Sequence, residues 1–290
     1  MKPRFQYGGQ AVIEGVMMRG RDSAAIAVRK PSGEISVDVR EIDNSRRPAI
    51  LKAPFVRGTV MLIESLVLGM NALMYSANES ADEEEQLSGG EVALSLVVAL
   101  GLFVLLFIVL PNVIVAFIQK RISSVILVNL IEGALRVAIF IVYLVAISQM
   151  RDIQRVFAYH GAEHKTIAAW EAGEALTVDN ARRHGTAHAR CGTNFLLIVM
   201  LVSVLIYSLL GRQGLVERIV TRILLLPVLA GVSYELLKIA GRPDPSPIVK
   251  WARAPGLALQ RLTTREPDDS MLEVAIVSLQ AVIEKDEAVN

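Results

Sequence analysis

The sequence predicts a mainly α fold, a polytopic helical membrane protein with about four transmembrane helices and a small N-terminal β-rich region. Three observations carry that expectation. Hydrophobic residues make up 53% of the 290 residues and charged residues only 20%, which is more apolar than a soluble domain of this size needs, so the excess belongs in lipid. The apolar residues gather in runs long enough to cross a hydrocarbon core of ~30 Å. Upstream of them, short β-branched segments alternate with turn residues.

Residues 1–58 form the β-rich region, expected in the cytoplasm. Gln10 to Met18, Ala24 to Lys30 and Glu34 to Arg40 suit the strands of a small meander, with Pro31 to Gly33 as a closing turn. Residues 59–91 hold a helix from Thr59 to Ala77, expected in the membrane interface or as a re-entrant segment, and an acidic linker containing Asp82 to Glu85. Residues 92–150 supply the first two spans. Val92 to Ile118 is uncharged throughout; Ile122 to Met150 is broken only by Glu132 and Arg136, which lie four apart on one helical face and can pair. Residues 151–192 form a loop between spans. Residues 193–240 supply the third span, Thr193 to Gly211, and the fourth, Ile219 to Ala240, whose Arg222 and Lys238 lie near its ends and whose centre holds Pro227. Residues 241–290 begin with a stiff connector, Arg242-Pro-Asp-Pro-Ser-Pro247, and end in an amphipathic helix from Met271 to Glu284.

Basic residues set the orientation. The short links after the first and third spans hold Lys120, Arg121, Arg212 and Arg218, whereas the other side collects Arg151, Arg155, Lys165, Arg182, Arg183, Arg190, Arg242, Lys250 and Arg253. The positive-inside rule then places both termini and the 151–192 loop in the cytoplasm of a multi-pass plasma-membrane protein. Met1 to Arg21 lacks the apolar core of a secretory leader. Lys plus Arg number 30 against 29 for Asp plus Glu, a balance that offers nucleic acid no polyelectrolyte partner. The expected partners are the lipid bilayer and a membrane-associated substrate or protein. The single cysteine excludes an internal disulfide and points to a reducing compartment.

The chemistry concentrates in the loop. All four histidines lie between residues 160 and 188, and Cys191 follows them. His160-Gly-Ala-Glu163-His164 is a His-x-x-Glu-His pattern, in which histidines four apart on a helix offer two ring nitrogens to one ion. In metalloproteases with this inverted order the intervening glutamate is the general base, so Glu163 is the catalytic candidate. Glu171, two turns beyond His164, is a further ligand candidate. His188 and Cys191 form a His-x-x-Cys pair suited to a borderline or soft ion. A turn at Glu171 to Asp179, containing Gly173, brings the halves together. His160, His164, His188, Cys191 and Glu171 are thus the metal-ligand candidates, with zinc the expected divalent cation.

Less specific readings compete at each position. Histidines in a loop are commonly plain polar surface, and four protein ligands would make a closed, structural site. Cys191 as a nucleophile lacks any readable oxyanion device. Glu132 with Arg136 suits a structural pair as well as a transport relay. Glu235 lies at a depth from which it reaches the loop, or it pairs with Lys238. Glu14 lies in a glycine-rich block better suited to turn and strand packing.

Five blocks resemble the YqhQ-like family of bacterial membrane proteins: Gly8-Gly-Gln-Ala-Val-Ile-Glu-Gly-Val-Met-Met-Arg19, Tyr159-His-Gly-Ala-Glu-His-Lys-Thr166, Arg190-Cys-Gly-Thr193, Ser233-Tyr-Glu-Leu-Leu-Lys238 and Leu262-Thr-Thr-Arg-Glu-Pro267. That family is defined by a domain of unknown function and described as a predicted metal-dependent enzyme. The resemblance spans nearly the whole chain and implies a site at His160, Glu163, His164, His188 and Cys191, each on a motif position. Where the family shows His-Pro-Arg-Cys, this chain has His188-Ala-Arg-Cys191, and His184 lies outside the blocks. The expectation is a membrane zinc hydrolase acting near the cytoplasmic surface. Its rivals are a scaffold or assembly factor stapled by a structural metal, and a transporter resting on Glu132, Arg136 and Glu235.

Overall fold

The computed structural model describes residues 5–42, 48–81, 89–211, 213–241 and 246–288. The acidic run Asp82 to Glu85, the topogenic Arg212 and Arg242, and most of the 242–247 connector lie outside the described residues.

The N-terminal region is a four-stranded antiparallel meander, β1 (Gly8–Val12), β2 (Gly15–Arg19), β3 (Ser23–Arg29) and β4 (Ile35–Glu41), in the order β1-β2-β3-β4. The expected strand from Gln10 to Met18 is in fact a hairpin: the chain reverses at Ile13-Glu14, with Glu14 at φ 50°, and Val12 pairs with Gly15. The turn at Pro31 to Gly33 forms as expected, with Gly33 at φ 89°. β2 and β3 are buried on both faces. Val16, Met18, Ala25 and Ala27 face one core, and Met17, Ile26 and Val28 face another. That two-sided burial explains their nearly unbroken apolar sequence.

Two helices cover the sheet. Against the Met17 face lies α1 (Val56–Ser80), which buries Ala72 there and pairs Tyr75 with Ser36 at 2.6 Å and Glu79 with Lys30 at 3.1 Å. Against the Val16 face lies α11 (Asp269–Ala288), the expected final amphipathic helix. It buries Leu272, Val274, Ala275, Leu279 and Val282 completely between sheet and neighbours and leaves Glu273, Gln280 and Glu284 exposed. Asp286 near its end accepts hydrogen bonds from the backbone of Arg21 and the hydroxyl of Ser23, tying it to the β2–β3 turn.

The apolar runs are helical. α2 (Gly89–Val104) continues through a π turn (Leu105–Val109) into α3 (Leu110–Ile118). The widened turn accommodates Pro111, whose ring clashes with the regular helical ladder. α4 (Val125–Ile147) follows, capped by the Ser124 hydroxyl. α7 (Gly192–Ser208) is apolar but short, and the fourth run is broken by 47° between α8 (Leu215–Leu224) and α9 (Leu226–Ala240), beside Pro227. Among the described residues three helices are long and apolar enough to cross a membrane, Val56–Ser80, Gly90–Ile118 and Val125–Ile147, and the bent α8–α9 pair adds a fourth if it is one span. The first of these is the helix expected at the interface.

The 151–192 segment is not a loop. It is dominated by α5 (Arg151–Ala172), which ends at Gly173 in the left-handed conformation (φ 80°), followed by a short α6 (Val178–Arg182). A helix absent from the sequence expectation, α10 (Pro247–Thr263), runs from the bundle back to α5 with Pro255 inside it.

Candidate metal centre

α5 presents His160, Glu163 and His164 on its buried side, where residues 158–169 are mostly covered. Close approach of the chain after α10 makes this possible. A Cβ at Gly161 would stand 2.1 Å from the Arg265 carbonyl oxygen, so only glycine fits, and the Arg265 amide donates to the Phe157 carbonyl at 2.9 Å. The segment 263–265 therefore lies along the first half of α5 and brings the Thr263 carbonyl to His160.

Each imidazole is oriented by a backbone carbonyl. His160 Nδ1 stands 2.8 Å from the Thr263 carbonyl oxygen and His164 Nδ1 2.6 Å from that of Thr186. A carbonyl only accepts, so both Nδ1 atoms carry the proton and both Nε2 atoms keep a free lone pair. His160 Nε2 lies 3.1 Å from Cys191 Sγ, and the His164 Nε2 is buried with no hydrogen-bond partner among the described residues. The ligand atoms of His160, His164 and Cys191 all lie within 4.8 Å of one another. Zinc bonds of ~2.1 Å to nitrogen and ~2.3 Å to sulfur set tetrahedral ligand atoms ~3.5 Å apart, so the triad fits such an ion after a small inward movement. Burial pushes the His164 pKa down against the opposing contact with Cys191, which favours the neutral form that ligates. Cys191 is itself buried and immediately precedes α7, with the Thr193 hydroxyl 3.1 Å from its sulfur.

Glu163 is buried beside the triad. Its carboxylate accepts from the Gly9 amide, and its Oε2 is buried with no hydrogen-bond partner among the described residues. Burial raises its pKa above the ordinary carboxylate range, although the His160 and His188 rings pull the other way. Gly9 is needed for this fit: a Cβ there would approach the Glu163 carboxyl carbon to 3.0 Å and the Met17 carbonyl oxygen to 2.6 Å. On its other side Gly9 lines a cavity of about 390 Å³ between the first two strands and α1, together with Met17, Arg19, Leu68 and Tyr234.

The remaining candidates sit elsewhere or beside the triad. His188 and Glu171 pair with each other at 3.2 Å, Arg190 completes their cluster, and the His188 ring centroid is 5.6 Å from that of His164. For Glu171, burial raises the pKa, but His188 and Arg190 together outweigh it and the net shift is downward. His184 pairs with Glu174 at 3.1 Å. Glu14 holds Arg155 and the Tyr159 hydroxyl, and Glu235 holds Arg57 of α1 at 2.5 Å rather than Lys238 or the triad.

Sequence reasoning missed the groups that aim the ligands. Gln260 clamps the His188 backbone from both sides, accepting from its amide at 2.7 Å and donating to its carbonyl at 2.8 Å. Lys165, almost fully buried, donates to the carbonyls of Arg182 and His184 and pairs with Glu266 at 2.6 Å. Gln260 lies outside the resembling blocks, whereas Lys165 belongs to the Tyr159 to Thr166 block and its partner Glu266, with Thr263 and Arg265, to the Leu262 to Pro267 block.

A family profile described as "Protein of unknown function (DUF1385)" matches residues 53–285. "Uncharacterized protein YqhQ" from Bacillus subtilis (strain 168) is 34% identical over 295 aligned residues, covering 96% of this chain and 92% of that protein. No solved structure matches the chain.

Proposed function

The chain belongs to this family of proteins of unknown function, and from the convergence of His160, His164 and Cys191 we propose that it is a membrane-embedded, zinc-dependent hydrolase working at the cytoplasmic surface of the plasma membrane. The observation that carries the reading is the pairing of two Nδ1 atoms with backbone carbonyls while both Nε2 lone pairs point toward one thiol. Histidines that hold metals are oriented this way by a partner on the second nitrogen. Three protein ligands leave a tetrahedral ion one open position, the arrangement of catalytic rather than structural zinc. Bound there, the ion supplies Lewis-acid polarisation to a substrate oxygen or to water.

Glu163 supplies the proton chemistry. Burial raises its pKa, which strengthens it as a base that takes a proton and returns it to a leaving group. The cavity on the far side of Gly9 is the candidate entry for substrate, and Met61 and Leu68 of α1 in its wall suit an apolar, membrane-derived molecule.

In this reading α2–α3, α4, α7 and α8–α9 cross the bilayer, both termini are cytoplasmic, and α1 does not cross. From Glu64, paired with Arg19, to Glu79, paired with Lys30, the sheet accompanies α1 for ~22 Å at 1.5 Å per residue. A crossing by α1 would carry that sheet into hydrocarbon.

A scaffold with a closed structural site is favoured by one observation, the nearness of His188 to His164. Purified full-length protein decides between them. The enzyme reading expects one zinc per chain, hydrolysis of membrane lipid or peptide substrates, and a Glu163→Gln variant that keeps the zinc and loses turnover. Loss of zinc in that variant, or four protein ligands on the ion, would replace it with the scaffold.

A further inference from the structure

At the end of the bundle opposite the triad, a second polar cluster is built on Glu132, in the second turn of α4. Its carboxylate is 1% exposed and receives Arg136 at 2.5 Å, Arg222 through two nitrogens at 3.2 Å each, and Arg218 at 3.8 Å. One carboxylate thus faces three guanidiniums, all three nearly buried, which leaves two positive charges in excess among these residues. Arg222 and Arg136 also lie over the Tyr207 ring, 4.1 and 5.1 Å from its centre. Gln213 and Gln119 take one donor each from Arg222 and Arg218, yet Arg218 Nε and Nη1 are buried with no hydrogen-bond partner among the described residues. Excess charge inside a span is expensive and needs a counter-ion. A structural staple between α4 and α8 needs one arginine, not three.

A cavity of about 360 Å³ opens directly onto this cluster. Arg136, Arg222, Tyr207 and Ser203 line its charged end. From there it runs between α2, α4, α7 and α9 past Phe103, Phe140, Met200 and Leu229 to Tyr143 and Leu196. Arg136 to Tyr143 is ~10 Å along α4 and Tyr207 to Leu196 ~16 Å along α7, so the cavity is a channel with a cationic head and an apolar body. Its volume lies within the ~300–1,000 Å³ of ordinary ligand sites. With the triad in the cytoplasm, Arg222 and Tyr207 lie on the outer side of the bundle, Arg136 lies at the middle of α4, and the apolar body runs past the bilayer centre to Leu196 and Tyr143, about one turn from the cytoplasmic ends of α7 and α4, the direction of a lipid whose head faces outward.

We propose that this channel holds one anionic membrane lipid, its phosphate at Arg136 and Arg222 within the field of Arg218, and an acyl chain along Phe140 and Met200. The proposal rests on the bilayer reading above and not on the metal centre. Free phosphate satisfies the charge but not the channel; a zwitterionic lipid satisfies the channel but not the charge.

The test is native mass spectrometry of full-length, delipidated protein in detergent, titrated with phosphatidic acid or with phosphatidylcholine of identical chains. Two excess charges predict that phosphatidic acid binds 1:1 and roughly tenfold or more tighter than phosphatidylcholine. Arg222→Gln, which weakens the charge, and Ser203→Phe, which fills the channel without touching charge, each lower phosphatidic acid binding by about that factor. Glu132→Gln, which removes the competing carboxylate, retains or strengthens it. Equal binding of the two lipids, full displacement by inorganic phosphate, or binding unchanged in both Arg222→Gln and Ser203→Phe would overturn the proposal. A chain that stays in solution without detergent would instead remove the bilayer reading itself.

Discussion

The two polar clusters of this chain lie toward opposite ends of α4 and lack opposite things. The triad side is rich in acceptors: two imidazole lone pairs, a thiol and, close by, a carboxylate with an unpartnered oxygen. The Glu132 side is rich in donors, with three guanidiniums on one carboxylate. Both are largely buried in protein, where an unmatched polar group is costly. On the two proposals above, a cation would complete the first and an anion the second.

The largest expected effect breaks the first half of the comparison. His164→Ala and Cys191→Ser each remove a ligand from a three-ligand site, and metal analysis of the purified variants is expected to show zinc falling from one per chain to about a tenth or less. Retention of full zinc in both would deny the triad its role.

Next is Glu132→Leu in the second cluster. Removing the carboxylate leaves three buried guanidiniums without their shared partner, and thermal unfolding in neutral detergent is expected to show a loss of about 3–5 kcal/mol. Added anionic lipid is expected to recover part of that loss. An unchanged melting temperature would mean that the arginines are solvated in the protein.

Glu163→Gln sharpens the contrast, because here the charge itself is the unfavourable element. The folded pKa of Glu163 is raised above its unfolded value of 4.5. The folded state therefore binds more proton, and folding loses stability as pH rises from 4.5 through the raised value. In metal-free protein the amide variant is expected to be more stable by about 1–2 kcal/mol at pH 8, the gain vanishing as pH falls toward 4.5. Melting curves of the two proteins across that range check this. A variant less stable than the parent at pH 8 would show that the buried carboxylate is fully satisfied.

The smallest effect is expected at His188. Paired with Glu171 and clamped by Gln260, it flanks the triad without joining it. His188→Ala is expected to weaken zinc binding by about tenfold, as outer partners do, rather than abolish it. Loss equal to that of His164→Ala would make His188 a fourth ligand.

How far the sequence led differs between the two regions for physical reasons. The His160–His164 pair was legible because a four-residue spacing on one helix is local information, and the Glu132–Arg136 pair was legible for the same reason. The carbonyls of Thr186 and Thr263 were not, since any residue type carries a carbonyl and only the folded chain places it. Arg218 looked like a topogenic residue in a short link, whereas α8 begins early enough to fold it into the bundle. The β1–β2 hairpin was hidden because the reversal uses Ile13-Glu14 in place of Asn-Gly or Asp-Gly, and because two-sided burial erased the alternation that marks a strand. The amphipathic period of α11 was legible, but that the sheet and α5 would cover its apolar face was not, since those partners are distant in the chain.

X-ray absorption at the zinc edge of the full-length protein tests the central claim most directly. The account predicts one sulfur at about 2.3 Å, two imidazole nitrogens and one further light atom that is not an imidazole. A third imidazole in the shell, or no sulfur at all, would contradict it.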